Sequence, residues 1–169
     1  MKTFETNRLF LTPTTAEDAA LILEVFNSPK WLEFIGDRKL NSIEDAEVYI
    51  ETKIVPSIQK NGFGNFTVTR KFDDAKIGFC GLYDREGLEG IDIGFAFLPK
   101  YENKGYGFES ANTLKEAAFT DFNLTEISAI TSEKNTGSQK LLMKLGLKFE
   151  KKIKLTDDTE EVLLYKLAL

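Results

Sequence analysis

Residues 63–132 constrain the fold most. Three strand-like runs, "FGNFTVTRK" (63–71), "KIGFCGLYD" (76–84) and "GIDIGFAFLP" (90–99), follow one another with only "FDDA" and "REGLE" between them. Connections that short join antiparallel neighbours. A helical run, "GFESANTLKEAAFTDF" (107–122), then leads to one more strand, "EISAITS" (126–132). A strand–helix–strand crossover makes its two strands parallel. Antiparallel hairpins and one parallel pair in the same chain predict a mixed α/β sheet.

The flanking sequence extends this pattern. "RLFLTP" (8–13) alternates like a strand and stops at Pro13, and "TTAEDAALILEVFN" (14–27) reads as a helix capped near Thr14 or Thr15. "SPKWLEFIGDRK" (28–39) is expected to be irregular. "SIEDAEVYIETKIVPSIQKN" (42–61) reads as a second helix, opened by a Ser-x-x-Asp capping pattern and kinked or interrupted by Pro56. "TGSQKLLMKLG" (136–146) is a helix closed by Gly146, and "LKFEKKIKL" with "EEVLLYKLAL" is a terminal hairpin joined at "TDDT". The order is therefore β-α-α-β-β-β-α-β-α-β-β. No repeat or linker divides the chain, so residues 1–169 are expected to form a single domain.

Composition removes several functional classes. The chain has no histidine and one cysteine, which excludes Ser-His-Asp and Cys-His catalysis and leaves no conventional zinc site. Acid–base work must fall to carboxylates, lysine, tyrosine or water. A net charge of -5 argues against a nucleic-acid partner and suits a cationic one such as an amine. No apolar run reaches the ~20 residues of a membrane span. The start, "MKTFETNRLF", lacks the pattern of a signal peptide, and a lone cysteine fits a reducing, cytoplasmic setting. Fourteen phenylalanines predict an aromatic core.

"KYENKGYGFES" (100–110) has two readings. It is either a strand-to-helix turn in which glycine relieves the backbone, or a cradle of helix N–H groups for phosphate oxygens. It lacks the third glycine of a dinucleotide fingerprint, and the chain has no GxxxxGK[ST] loop.

Strand "GIDIGFAFLP", turn "KYENKGYGFES", helix, strand and then "NTGSQKLLMKLGLKF" closely resemble the GNAT N-acetyltransferase superfamily. "ETNRLFLTPTTAEDA" and "NSPKWLEFIGDRKLNSIEDAEVYI" resemble its ribosomal-protein alanine N-acetyltransferase branch. The resemblance implies a GNAT fold, with a mostly antiparallel sheet flanked by helices. It also implies transfer of acetyl from acetyl-coenzyme A to a primary amine by direct attack in a ternary complex, without metal. A protein or peptide N-terminal amine is the favoured acceptor class, with polyamines or small amines next. The homodimer is a further arrangement common in this superfamily. Rival readings are a coenzyme-binding sensor that has lost catalysis and a nucleotide phosphate-binding protein.

The resemblance also assigns candidate residues. Lys104, Gly105, Tyr106 and Gly107 match the pyrophosphate turn, although Glu102 stands where relatives carry Gln or Arg and Phe108 where a hydroxyl residue is frequent. Main-chain N–H groups on the strand Phe95-Ala96-Phe97-Leu98 would polarise the thioester, with Phe97 and Leu98 as the residues expected to bind the cofactor. Asp92 occupies the position of a basic carboxylate, usually Glu, or is simply a solvent-facing residue of an alternating strand. Leu142 stands where many relatives have the tyrosine that protonates the thiolate. Ser138 is then either that proton donor or a polar residue of a first helical turn, and Asn135 either a pantetheine or acceptor ligand or a helix cap. Trp31, Glu33, Phe34 and Asp37 are expected to form an aromatic and acidic collar for the amine.

Overall fold

The computed structural model describes residues 2–155 and 160–169. Eight strands form one sheet: β1 (Phe4–Glu5), β2 (Leu9–Pro13), β3 (Asn65–Arg70), β4 (Ala75–Asp84), β5 (Ile91–Phe97), β6 (Glu126–Thr131), β7 (Lys148–Ile153) and β8 (Val162–Ala168). Their spatial order is β1-β2-β3-β4-β5-β6-β8-β7. Every neighbouring pair is antiparallel except β5 and β6. The crossover between those two is helix α5 (Tyr106–Thr120), as the sequence pattern predicts.

On the other side lie α1 (Ala19–Phe26), α2 (Pro29–Phe34), α3 (Ile43–Tyr49) and α4 (Val55–Asn61), while α6 (Thr136–Lys144) leads into the last hairpin. The strands read from sequence agree within a residue or two. Residues 28–39 differ, because Pro29 opens a short helix there instead of an irregular link. What holds α2 is aromatic: the Trp31 ring stacks on Phe26 with centroids 4.2 Å apart and meets Phe79 edge-on. The two-residue strand β1 was also not legible. Phe4 fixes it by edge contacts to Phe66 and Phe122. Pro56 interrupts the second helix by a π turn over Ile50–Ile54, where the Val55 N–H reaches back to Ile50 O. The missing proline N–H and its ring forbid the regular ladder there. The strands β7 and β8 pair as the expected hairpin; the expected joint at 156–159 lies outside the described residues.

Alternation along the central strands divides the molecule into two cores. Cys80, Leu82 and Ile93 pack with Ala111, Leu114 and Ala118 of α5. Phe79 of β4, on the opposite face, packs with Ile22, Val25 and Phe26 of α1. Tyr83 and Gly81 share the Phe79 face, and so do their register partners Asp92 and Gly94 on β5.

One polar contact ties the leading edge of the sheet to the start of α5. The Glu109 carboxylate accepts from Thr6 Oγ1 at 2.6 Å, the Arg8 N–H at 3.0 Å and Arg8 Nε at 2.7 Å. Burial favours the neutral acid, but the hydrogen bonds from Thr6 and Arg8 outweigh it and hold Glu109 below the ordinary glutamate range. A depressed carboxylate stabilises the fold above its unfolded pKa, and that contribution is lost as pH falls through the folded one. Glu109→Gln is therefore expected to destabilise by about 2 kcal/mol at pH 7. The gap to wild type in urea denaturation should close as pH falls below the usual glutamate range. A gap independent of pH would contradict this account.

Candidate active site

The parallel pair β5–β6 is joined at one register position, Asp92 opposite Ser128. Beyond it the two strands diverge towards their C-terminal ends. The antiparallel register to β4 decides which groups this leaves open. Leu98 N–H bonds Ile77 O at 3.0 Å, so alternate residues of β5 point their N–H groups at β4. The Phe95 and Phe97 N–H groups point the other way, into the wedge where β6 has withdrawn.

A cavity of about 630 Å³ fills this wedge. Its β5–β6 wall includes Gly94, Phe95, Thr131 and Ser132, with Asn135, Ser138 and Leu142 of α6 on one side. It continues across the sheet to Trp31, Phe34, Tyr49, Tyr83, Arg85 and Asp92. Asp92 sits at the apex, only 1% exposed. Arg85, just past β4, reaches back with Nε 3.3 Å and Nη2 3.2 Å from its two oxygens. Burial pushes the Asp92 carboxyl above the ordinary aspartate range, and Arg85 only partly offsets this. Tyr83 is held neutral by the same burial, its hydroxyl pKa well above the usual tyrosine value.

Outside the wedge lies the glycine turn. Gly105 adopts φ 85°, a left-handed conformation costly for a residue with a Cβ, and leads into α5 with no side-chain cap. The leading N–H groups of this 15-residue helix are therefore open to an anion. Arg8 supports the turn from behind by donating to Lys104 O at 3.0 Å and lying 4.3 Å over the Tyr106 ring. Lys104 is exposed. Gly107 is small for packing, since a Cβ there would lie 3.3 Å from Leu141. Glu102, the departure from the expected turn, is ion-paired with Lys30 on α2. That pairing offsets its charge beside the uncapped N–H groups of α5.

The comparisons with known proteins bear on this geometry. A family model described as an acetyltransferase (GNAT) domain matches residues 8–148. The chain belongs to the GNAT acetyltransferases. It is 27% identical over 145 residues to the uncharacterized N-acetyltransferase YnaD of Bacillus subtilis, covering 86% of this chain and 82% of that one. The ribosomal-protein-S5-alanine acetyltransferase of Vibrio fischeri superposes with a TM-score of 0.80 at 20% identity, over 99% of this chain and 97% of that chain. The ribosomal L7/L12 alpha-N-protein acetyltransferase RimL, solved with coenzyme A, gives 0.82 at 14%, over 99% and 98%. The fold is that of GNAT enzymes, and the chain is an acyl-coenzyme A-dependent acetyltransferase.

Set against this GNAT frame, the residues expected from sequence divide clearly. Asp92, Ser138, Asn135, Trp31 and Phe34 line one cavity. Asp92 is not solvent-facing. Asn135 caps α6 by accepting the Ser138 N–H at 3.2 Å, while its amide nitrogen has no partner among the described residues. Leu98 differs from expectation: its N–H is bound to Ile77 O and its carbonyl accepts from Tyr101, which leaves the Phe95 and Phe97 N–H groups as the ones facing away from β4. Glu33 and Asp37 also differ. Both are exposed outside the cavity, and Asp37 accepts the Lys39 N–H at 2.7 Å in a local turn. Arg38 lines the cavity where that acidic collar was expected. Among the described residues no cluster of His, Cys, Asp or Glu suits a metal ion, and no helix is long and apolar enough to cross a membrane.

Tyr83, Arg85, Asn65 and Arg8 went unnoticed in the sequence. For Tyr83 a signal existed: two glycines inside central strands. A Cβ at Gly81 would lie 2.3 Å from Tyr83 Cζ and Oη, and one at Gly94 3.0 Å from the ring. The phenol lies flat across a trough that only glycine leaves open. Gly81→Ala should cost about 2 kcal/mol by overpacking in urea denaturation. Most of that cost should vanish in a Tyr83→Ala background. Equal costs in both backgrounds would refute the trough.

Proposed function

We propose that this GNAT enzyme acetylates the N-terminal α-amine of a protein or peptide, with acetyl-coenzyme A as donor. The observation that carries this reading is the wedge: unpaired main-chain donors and a buried carboxylate meet in one cavity open to both faces of the sheet. The donor's pyrophosphate would rest on the N–H groups of the turn Lys104–Gly107, with its pantetheine passing between β5 and β6 beside the Asn135 amide nitrogen. The thioester carbonyl would accept from the Phe95 or Phe97 N–H. Donors of this kind, fixed before reaction, contribute about 3 kcal/mol to an oxyanion-like transition state.

Asp92, directly or through one water, would take a proton from the amine. The freed nitrogen attacks the carbonyl carbon, the C–N bond forms, and the C–S bond breaks. Ser138, the α6 hydroxyl that lines the cavity, would return a proton to the departing thiolate, since Leu142 has none. The lack of histidine and a Cys80 thiol buried and pushed up to about 12 disfavour a covalent acyl intermediate and favour direct attack. The cavity lining is mixed in charge, with Arg38 and Arg85 beside Asp84, Glu86 and Asp92, and the acceptor class is taken from the relatives. Two of the structural neighbours are named as acetyltransferases of ribosomal proteins.

Free thiol released from acetyl-coenzyme A in the presence of a panel of peptides and polyamines tests this reading. Peptides with a free N-terminus should support turnover, and Asp92→Asn should slow it about 100-fold or more. Arg85→Gln removes the partner that lowers the Asp92 pKa, so the acidic limb of the rate profile should move to higher pH. Binding of the donor without thiol release to any amine would make the protein a sensor instead.

A further inference from the structure

A chain of buried hydrogen bonds runs from the cavity floor across β3 to Asp18, just before α1. Tyr83 Oη contacts Asn65 Oδ1, Asn65 Nδ2 lies 2.9 Å from Thr14 Oγ1, Thr14 Oγ1 lies 2.9 Å from Thr67 Oγ1, and Thr67 Oγ1 lies 2.9 Å from Asp18 Oδ2. Asp18 is ion-paired with Lys76 at 2.7 Å. Asn65, Thr14, Thr67 and Asp18 are all buried. None but Asn65 touches the cavity.

Proton counting gives this chain one direction. The paired carboxylate of Asp18 only accepts, so Thr67 must spend its single hydroxyl proton there. The contact between Thr67 and Thr14 can then be filled only by the Thr14 proton. Thr14 must therefore accept from Asn65, which fixes the amide with its nitrogen towards Thr14 and its oxygen towards Tyr83. Flipping the amide would leave two hydroxyl oxygens 2.9 Å apart with no proton between them. The Tyr83 proton is thus committed to Asn65.

Tyr83 is the register partner of Asp92 on the same face, but its ring runs back over Gly81. Its Oη therefore lies at the Asn65 end of the cavity floor, while Asp92 lines the same cavity further along, beside Arg85. We infer that Tyr83 Oη presents only lone pairs to the cavity and accepts an N–H of the acceptor amine, acting as a residue that orients the nucleophile and not as a proton donor. This rests on the transferase reading and deepens it. An attacking primary amine has two N–H bonds and one lone pair. With one N–H held by Tyr83 and the other directed at water that leads to Asp92, the lone pair is left for the thioester. A tertiary or quaternary amine cannot satisfy both acceptors, so the site selects for N–H donors before chemistry begins.

The test uses the full chain saturated with coenzyme A and two probes, alanine N-methylamide and its N,N,N-trimethyl analogue. The analogue keeps the cation but has no ammonium N–H. Affinities are read by NMR titration of tyrosine-ring signals outside the cavity and of backbone amides, with melting temperatures as a check on folding. Wild type should prefer the primary ammonium by about 10-fold, the scale of one charge-assisted hydrogen bond. Tyr83→Phe should lose most of that preference while holding coenzyme A as before.

Thr67→Val is the decisive variant, because it breaks the chain two links beyond Asn65 without touching the cavity. It frees the Thr14 proton for Asn65, lets the amide turn, and releases the Tyr83 proton into the site. The preference should fall in this variant as well. A wild-type preference retained in both variants, or no binding of the primary ammonium to wild type, would overturn the inference. Thiol release from acetyl-coenzyme A in matched samples separates the two claims. An intact preference without turnover contradicts the transferase reading alone, whereas turnover with an unchanged preference contradicts the role of Tyr83.

Discussion

The architecture of the site depends on a sheet that stops pairing in its middle. Between β5 and β6 a single register position, Asp92 with Ser128, joins two antiparallel halves. Unpaired main-chain donors inside a protein cost free energy, and few folds leave them without a partner. Here that cost falls where β6 withdraws from Phe95 and Phe97, and the wedge it creates is the cavity. The same divergence determines what Asp92 meets. As the one β5 residue in register with β6 it is buried by the sheet yet lines the cavity, and that burial is why its carboxyl pKa is raised.

Compensation around this opening is electrostatic. Arg85 holds Asp92 from the β4–β5 connection, Lys30 neutralises Glu102 beside the glycine turn, and Arg8 supports the turn through Lys104 O and Glu109. Each cation comes from a different part of the chain. Lys30 has the further effect of tying α2, which carries Trp31 and Phe34 into the cavity, to the segment that precedes α5. The aromatic end of the cavity and the glycine turn are thereby linked by one ion pair.

Much of the fold was legible because it rests on local signals. Short polar turns between alternating runs fixed the antiparallel strands, a helical run between two strands fixed the parallel pair, and Pro56 marked the interruption that the structure resolves as a π turn. Asp92 and the glycine turn were legible through the motif around them. Contacts between residues distant in sequence were not. Nothing local says that Arg8 will reach Glu109, that Lys30 will meet Glu102, or that Pro29 will start a helix held by Trp31 on Phe26. Glu33 and Asp37 looked suitable by charge alone, but both lie outside the cavity, and the charged residue of this segment that lines it is Arg38. Leu98 looked equivalent to Phe97 until the register showed that its N–H was already bound. Gly81 and Gly94 were visible, and their meaning was not, because a glycine in a strand does not say which ring lies over it.

Amide hydrogen exchange followed by NMR, with and without acetyl-coenzyme A, tests the central claim most directly, because it reads the unpaired donors themselves. Without the donor, the Phe95 and Phe97 amides should exchange readily, while Ala96 and Leu98, bonded to β4, are protected. With it, Phe95 or Phe97 and the leading amides of α5 should slow together. Protection of Phe95 and Phe97 in the free protein, or exchange there that ignores the donor, would mean that the wedge is not where the acetyl group is held.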